Sequence, residues 1–288
     1  MKLLICIPTI NSQDYILNTL YHLYNEIQNL DYDVDVCVLS NGCTDSTVSL
    51  LEKNCSNYDF IHLDLVEGSK IKAMNFAADK FQNDYEFIAF MDDDVKIFSK
   101  GIIRVIEELN SGYYAVSLTP KGQLTESGLI KRFWQNVFKM SSEYMFLNEP
   151  KKYMVGRFMG FRLGNWVDIP ENMIHDDAWL TRIHWPKVLV INDSYVYYIP
   201  SSNPLKWFKR YIRNIESLEQ MKEEFPSKNI KHALKPKVVF SRLLKIKYFP
   251  DSLYFLVYRS MRRLCKMYTK NIASEEVKLK WFRDDTTF

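Results

Sequence analysis

The chain has 288 residues, 47% hydrophobic and 25% charged, with a formal net charge of +3. That is apolar material for one large or two modest globular domains, and too little net charge to suggest a nucleic-acid binder. No apolar run reaches the roughly 18 residues of a membrane-spanning helix, and the N-terminus carries neither the apolar core nor the cleavage site of a signal peptide. The five cysteines (Cys6, Cys37, Cys43, Cys55 and Cys265) are odd in number and in no metal-ligand spacing. Cys6 and Cys37 fall in apolar strand patterns, so buried thiols in a reducing cytoplasm are expected.

In chain order, Leu3–Ile7 reads as a buried strand ended by Pro8. Ile16, Leu20, Leu23, Ile27 and Leu30 then recur at helical spacing. Val34–Leu39 is a second strand, broken at Ser40-Asn41-Gly42, and Val48 and Leu51 start a second helix. Phe60–Leu63 is a short third strand, followed by a helical stripe at Ile71, Met74, Ala78 and Phe81. Phe87–Met91 is a fourth, wholly apolar strand. Strands alternating with helices predict a parallel α/β sheet over residues 1–118.

The fourth strand delivers three consecutive carboxylates, Asp92, Asp93 and Asp94. Ligands of open α/β sheets bind beyond the carboxyl ends of the strands. A hard divalent cation would relieve the repulsion among three adjacent acids, and an oxygen-only donor set suits Mg²⁺ or Mn²⁺. Side chains alternate along an extended chain, which makes Asp92 and Asp94 the natural ligand pair and turns Asp93 elsewhere. The alternative is an acidic turn or helix cap, with Asp94 or Ser99 opening a helix over 101–109.

Residues 119–200 are less regular. They are punctuated by Gly122, Gly128, Gly156, Gly160 and Gly164 and carry Trp134, Trp166, Trp179 and Trp185. Such segments on an α/β scaffold shape substrate clefts, or else supply aromatic core. Pro204–Phe225 is helical again. From Lys228 to Lys270 the chain has twelve Lys or Arg and one acid, Asp251. There Leu253, Val257, Met261, Leu264 and Tyr268 form one helical face, and Arg259, Arg262, Arg263, Lys266 and Lys270 the opposite one. That pattern fits a helix lying on an anionic membrane surface; the apolar face packing on the catalytic domain is the competing reading.

Five motifs in order resemble the family 2 glycosyltransferases of GT-A fold, over roughly residues 1–225. Ile7-Pro8-Thr9-Ile10-Asn11 is similar to the family's first loop, which borders the nucleotide. Ser40-Asn41-Gly42-Cys43-Thr44-Asp45-Ser46-Thr47 resembles the family's Asp-Asp-Gly-Ser-Thr-Asp-Gly-Thr, with Ser40 in place of the Asp that touches the nucleobase. That departure leaves the base open between UDP, GDP and dTDP. Gly68-Ser69-Lys70-Ile71-Lys72-Ala73-Met74-Asn75 is similar to Gly-Lys-x-x-Ala-Leu-Asn, with Ser69 inserted. Asp92-Asp93-Asp94 corresponds to the acids that bind ribose and metal. His175-Asp176-Asp177 resembles the Glu-Asp motif whose Asp is the general base; a capped helix start is its plain reading. Lys209-Arg210-Tyr211-Ile212-Arg213-Asn214 resembles the Gln-x-x-Arg-Trp element of polysaccharide synthases without its Gln and Trp.

The resemblance implies a GT-A-like, Rossmann-type mixed and mostly parallel sheet flanked by helices, with a basic helical C-terminal extension. It divides the chain into a nucleotide-sugar half (1–118), an acceptor half (119–225) and the extension (226–288). It implies a metal-dependent inverting enzyme at the cytoplasmic face of a membrane. The donor is a nucleoside-diphosphate sugar, in the first instance a UDP-sugar, and the acceptor a glycan or lipid-linked hydroxyl. The catalytic acids are Asp177 and Asp176. The donor is held by Pro8, Thr9, Asn11, Ser40, Asn41, Asp45, Lys70, Asn75, Asp92, Asp93, Arg210 and Arg213, and Mn²⁺ or Mg²⁺ by Asp92 and Asp94. A sugar-nucleotide-forming nucleotidyltransferase would show a Gly-rich loop after strand one, where this chain has Pro8-Thr9-Ile10-Asn11-Ser12. A non-catalytic peripheral membrane protein of the same fold is the remaining alternative.

Overall fold

The computed structural model describes residues 2–28, 30–65, 69–145, 153–225 and 249–271. Gly68, and the basic extension at 226–248 and 272–288, lie outside the described residues. The described chain forms two compact units. One contains residues 2–120 and 153–197, the other residues 121–145, 198–225 and 249–271.

The first unit begins with the alternation the sequence predicts. β1 (Lys2–Thr9), α1 (Ile16–Ile27), β2 (Asp33–Asn41), α2 (Thr47–Tyr58), β3 (Ile61–Leu65), α3 (Lys70–Phe81) and β4 (Phe87–Met91) follow one another. β1 pairs in parallel with β2 and β4, and β2 in parallel with β3. All five residues of β4 are buried, as for a central strand covered on both faces. β5 (Val95–Ile97) and α4 (Ser99–Asn110) follow, and then β6 (Ala115–Gly122).

The stretch that looked irregular holds β7 (Phe158–Arg162), α6 (Asp176–Ile183) and β8 (Val188–Tyr198). β7 runs antiparallel to both β4 and β6, giving a mixed eight-stranded sheet of order β3-β2-β1-β4-β7-β6-β8-β5. Gly160 lets α4 approach: a Cβ there would sit 2.6 Å from Val105 Cγ1 and 3.2 Å from Leu109 Cδ1. Cys6 and Cys37 face each other in register as buried free thiols.

The second unit packs α5 (Leu129–Met145), α7 (Pro204–Glu224) and the helix Phe249–Asn271, here α8. Its core is aromatic: Trp134, Phe138, Trp207 and Tyr211 stack face to face in sequence, with ring centroids 5.0–5.6 Å apart. α8 corrects the expected helical faces in part. Its packed side is Phe255, Tyr258 and Cys265, with Val257 and Met261 of the expected apolar face partly buried against the same core, while Leu253 and Leu264 of that face are exposed. Arg262, expected on the outer face, lies over the rings of Tyr211 and Tyr258 and donates to Tyr211 Oη at 2.7 Å. The aromatic core selects this side, because a guanidinium stacks on rings where an aliphatic side chain gains only contact area.

Candidate active site

Strand ends and helix starts build the site in the first unit. β1 gives way to a loop in which Asn11 adopts a left-handed conformation (φ 50°). Asn11 Oδ1 accepts from the backbone N–H groups of Thr44 and Asp45 at 2.8 and 3.3 Å, tying this loop to the one after β2. Pro8 sits one residue before the end of β1. Gly42 (φ 72°) supplies the turn after β2, and Asp45 Oδ1 accepts from Thr47 N–H as α2 begins. Asn41 Oδ1 accepts from Ser69 N–H at the start of α3, while Ser69 Oγ caps Lys72. The Asn75 amide is taken up by one backbone unit: Nδ2 donates to Ile169 O at 2.8 Å and Oδ1 accepts from Ile169 N–H at 3.0 Å. Arg210 and Arg213 belong to α7 of the second unit.

The triple carboxylate lies between β4 and β5, and its three members have different surroundings. Asp93 turns inward, where the Thr9 and Ser12 hydroxyls donate to its Oδ2 and its backbone carbonyl accepts from Thr19 Oγ1. Burial, opposed by the two hydroxyls and reinforced by Asp94 and Asp92, pushes its carboxyl up to about 6. Asp92 Oδ1 accepts from Lys70 Nζ at 2.9 Å, and Lys70 also reaches Asp176 Oδ2 at 3.3 Å. Burial would weaken the Lys70 ammonium, but Asp176 and Asp92 more than offset it and hold its pKa above the ordinary lysine value. Asp94, half exposed, lies 3.9 Å from Arg157 Nη1.

Asp176 and Asp177 open α6, where the helix dipole favours negative charge. Asp177 Oδ1 accepts from Tyr153 Oη at 3.3 Å and lies 3.2 Å from His175 Nδ1. Its Oδ2 accepts from Gly156 N–H at 3.2 Å. Burial would raise this carboxyl; His175, the Lys70 charge and the Gly156 N–H outweigh it and hold the pKa below the ordinary carboxylate value. Tyr153 is pushed the other way by burial and by the Asp177 charge, and stays a phenol. Lys70 thus joins the acid at the end of β4 to the acid pair at the start of α6.

The sequence profile of glycosyl transferase family 2 matches residues 4–165, more than half of the chain. The chain belongs to glycosyl transferase family 2. Among solved structures this family 2 chain is similar to S. aureus TarS, with a TM-score of 0.52 and 18% identity over 91% of this chain and 49% of that one. It therefore spans about half the length of that TarS chain. TarS residues 1–349 in complex with UDP-GlcNAc match with a TM-score of 0.50 at 18% identity, over 91% of this chain and 81% of that one. The mannosyltransferase PcManGT from Pyrobaculum calidifontis, in complex with GDP-Man and Mn²⁺, gives a TM-score of 0.57 at 15% identity, over 99% and 79%. At these identities the likeness establishes the fold, a GT-A α/β sheet flanked by helices. No curated protein matches the chain significantly by sequence.

Among the described residues no group of three or more His, Cys, Asp or Glu side chains is arranged to hold a metal. What stands beyond the carboxyl end of β4 is an oxygen-only pair, Asp92 and Asp94, 30% and 50% exposed at the side chain. A Mg²⁺-type ion bound by one or two carboxylates and substrate phosphates needs no more from the protein. The residues therefore fit a divalent cation shared with a diphosphate.

Tyr153 and Arg157 were absent from the sequence reading, and Gly156 entered it only as one of the glycines that punctuate a segment expected to shape a cleft; all three precede β7 and meet the acids Asp177 and Asp94.

Proposed function

We propose that the chain transfers a hexosyl or N-acetylhexosaminyl group from a nucleoside-diphosphate sugar, in the first instance a UDP-sugar, to a hydroxyl of a glycan or lipid-linked acceptor, with inversion. The observation that carries this reading is the Lys70 bridge between Asp92 and Asp176, which sets a donor-side acid and an acceptor-side acid pair in one cluster. The UDP-GlcNAc and GDP-Man complexes of similarly folded proteins support a nucleotide-sugar donor.

Asp94, with Asp92, would hold Mn²⁺ or Mg²⁺. A divalent ion bound there neutralises charge on the leaving nucleoside diphosphate. The Lys70 ammonium, held charged by its two acids, adds a second positive group beside the phosphates. Asp177 takes the acceptor's hydroxyl proton as the new glycosidic bond forms. A single displacement with the base on the acceptor side inverts the anomeric centre. The pKa of Asp177 keeps it ionised and ready as a base. Its oxygens have acceptor capacity beyond Tyr153, His175 and Gly156.

The outer face of α8 supports action at an anionic membrane surface. Leu253, Leu256, Leu264 and Met267 are 48–61% exposed there, with Arg259, Arg263 and Lys266 also exposed beside them. Among the described residues no helix is long and apolar enough to cross a membrane, so the contact is peripheral.

The test is release of nucleoside diphosphate from UDP-, GDP- and dTDP-sugars with Mn²⁺, in wild type and Asp94→Asn. Release from one of them that needs the metal and is lost in the variant is expected. Release by the variant at the wild-type rate removes Asp94 from the metal site.

A further inference from the structure

The two most exposed large apolar side chains among the described residues are neighbours. Leu129 and Ile130 occupy the first turn of α5 and are 88% and 76% exposed. One exposed leucine is ordinary on a protein surface. Here α5 carries its apolar stripe one turn beyond the core that the stripe serves. Phe133, Trp134, Val137 and Phe138 pack in the aromatic core of the second unit. Leu129 and Ile130 stand four residues before Phe133 and Trp134, on the same side of the helix, and meet solvent instead.

Two other helices bring exposed aliphatic residues to the same end of this unit. Ser202 Oγ donates to Glu126 Oε1 at 3.0 Å, and Gln135 Nε2 donates to Pro200 O at 3.2 Å. These bonds hold the start of α7 beside the start of α5, and the first turn of α7 exposes Leu205. The Phe133 ring meets that of Tyr254 with centroids 5.5 Å apart, which sets the exposed Leu253 of α8 near the first turn of α5. Lys131, Arg132 and Lys206 are exposed among these aliphatic side chains. Of the acids nearby, Glu126 lies 3.7 Å from Lys131 Nζ, and Asp251 falls in the first turn of α8. Arg259, Arg263 and Lys266 continue the positive charge along α8.

We infer that the start of α5 is a membrane anchor: Leu129 and Ile130 enter the boundary between headgroups and acyl chains of an anionic leaflet, while Lys131, Arg132 and Lys206 stay at its phosphates. The inference rests on the membrane contact proposed above for α8, and it adds an inserting element to a face that otherwise lies on the surface. Two adjacent aliphatic residues at a helix end form a wedge. The basic side chains beside them are long enough to reach back to the headgroups with their stems in apolar surroundings. Each aliphatic side chain taken out of water strengthens partitioning about tenfold or more. The basic residues make that partitioning depend on lipid charge and weaken with salt.

The experiment is sedimentation of the whole chain at low salt with vesicles of phosphatidylserine and phosphatidylcholine, and with phosphatidylcholine alone. Wild type is compared with the double variant Leu129→Ser, Ile130→Ser. Both side chains are exposed, so the variant folds, and circular-dichroism melting checks that it does. Wild type should partition onto the mixed vesicles, and the double variant about a hundredfold less. Partitioning of the variant at the wild-type level overturns the anchor and leaves the α8 contact standing. Equal wild-type partitioning onto phosphatidylcholine alone overturns the choice of an anionic leaflet. Failure of wild type to sediment with the mixed vesicles overturns both the anchor and the α8 contact. Sedimentation velocity without lipid supplies the last arm: a dimer that the double variant loses assigns Leu129 and Ile130 to an interface between copies, and overturns the anchor.

Discussion

Replacing Asp177 with Asn removes the charge and the basicity of the proposed base while keeping its shape. In the structure Asp177 receives the Tyr153 hydroxyl on Oδ1 and the Gly156 N–H on Oδ2. An asparagine can keep both contacts by aiming its carbonyl at Gly156 and its NH₂ at the Tyr153 oxygen. What it loses is the charge on those bonds, about 1–2 kcal/mol of stability, so the variant should fold and bind donor normally. Turnover should fall by roughly 10²–10⁴-fold, the usual contribution of a positioned base. At about 1.4 kcal/mol per decade, that is about 3–5 kcal/mol of lost transition-state stabilisation. The assay is the initial rate of nucleoside diphosphate release in the presence of acceptor, alongside calorimetry of the nucleoside diphosphate. A variant that binds and turns over like wild type refutes the assignment. If Asp176→Asn alone abolishes turnover, the base is Asp176. The pH profile adds a sign. The folded pKa of Asp177 lies below its ordinary 3.8, so its stabilisation is complete above that value and is lost as pH falls through the folded pKa. The rate limb due to this group should lie in the same acid range.

Gly160→Ala should lower Tm, because its methyl would meet Val105 at 2.6 Å. Overpacking of that kind costs about 1–3 kcal/mol, at roughly 2–4 °C per kcal/mol for a unit of this size. Circular-dichroism melting measures it, and an unchanged Tm would mean that α4 has slack over β7. On α8, the triple change Arg259→Gln, Arg263→Gln and Lys266→Gln removes about 3 kcal/mol of attraction to an anionic leaflet, at about 1 kcal/mol per residue. Sedimentation with phosphatidylserine vesicles at low salt should fall about a hundredfold in partitioning. Equal sedimentation of wild type and variant would show that this face meets something other than lipid.

β4 was legible because a buried parallel strand needs little more than a continuous apolar run, and Phe87–Met91 is one. β7 was not. Its Phe158-Met159-Gly160-Phe161-Arg162 carries a glycine whose reason is the approach of Val105 from another element. Nor does local sequence say that this strand inserts between β4 and β6. On α8 the helix itself was legible and its orientation only in part: Val257 and Met261 turn to the aromatic stack of α5 and α7, whereas Leu253 and Leu264 do not, because apolar residues occur on both sides. In the site, the acids announced their chemistry by adjacency. Asp93 turns inward from the turn between β4 and β5, where the hydroxyls of Thr9 and Ser12 receive it; the sequence foresaw that Asp93 bonds elsewhere, but the turn and those hydroxyls, not strand alternation, direct it. The Lys70 bridge joins residues 22 and 106 positions apart, a separation that periodicity cannot see.

The pair of bonds between Asn75 and Ile169 constrains what that position can become. A side-chain amide offers one donor face and one acceptor face at the spacing of a peptide group, so here it imitates a single rung of a β-ladder. Aspartate would set a negative oxygen against the Ile169 carbonyl. Leucine would leave a backbone N–H and C=O without partners. Glutamine carries the right groups one methylene too far out. The geometry reduces the tolerated alphabet at residue 75 nearly to one letter, for a reason that involves no ligand.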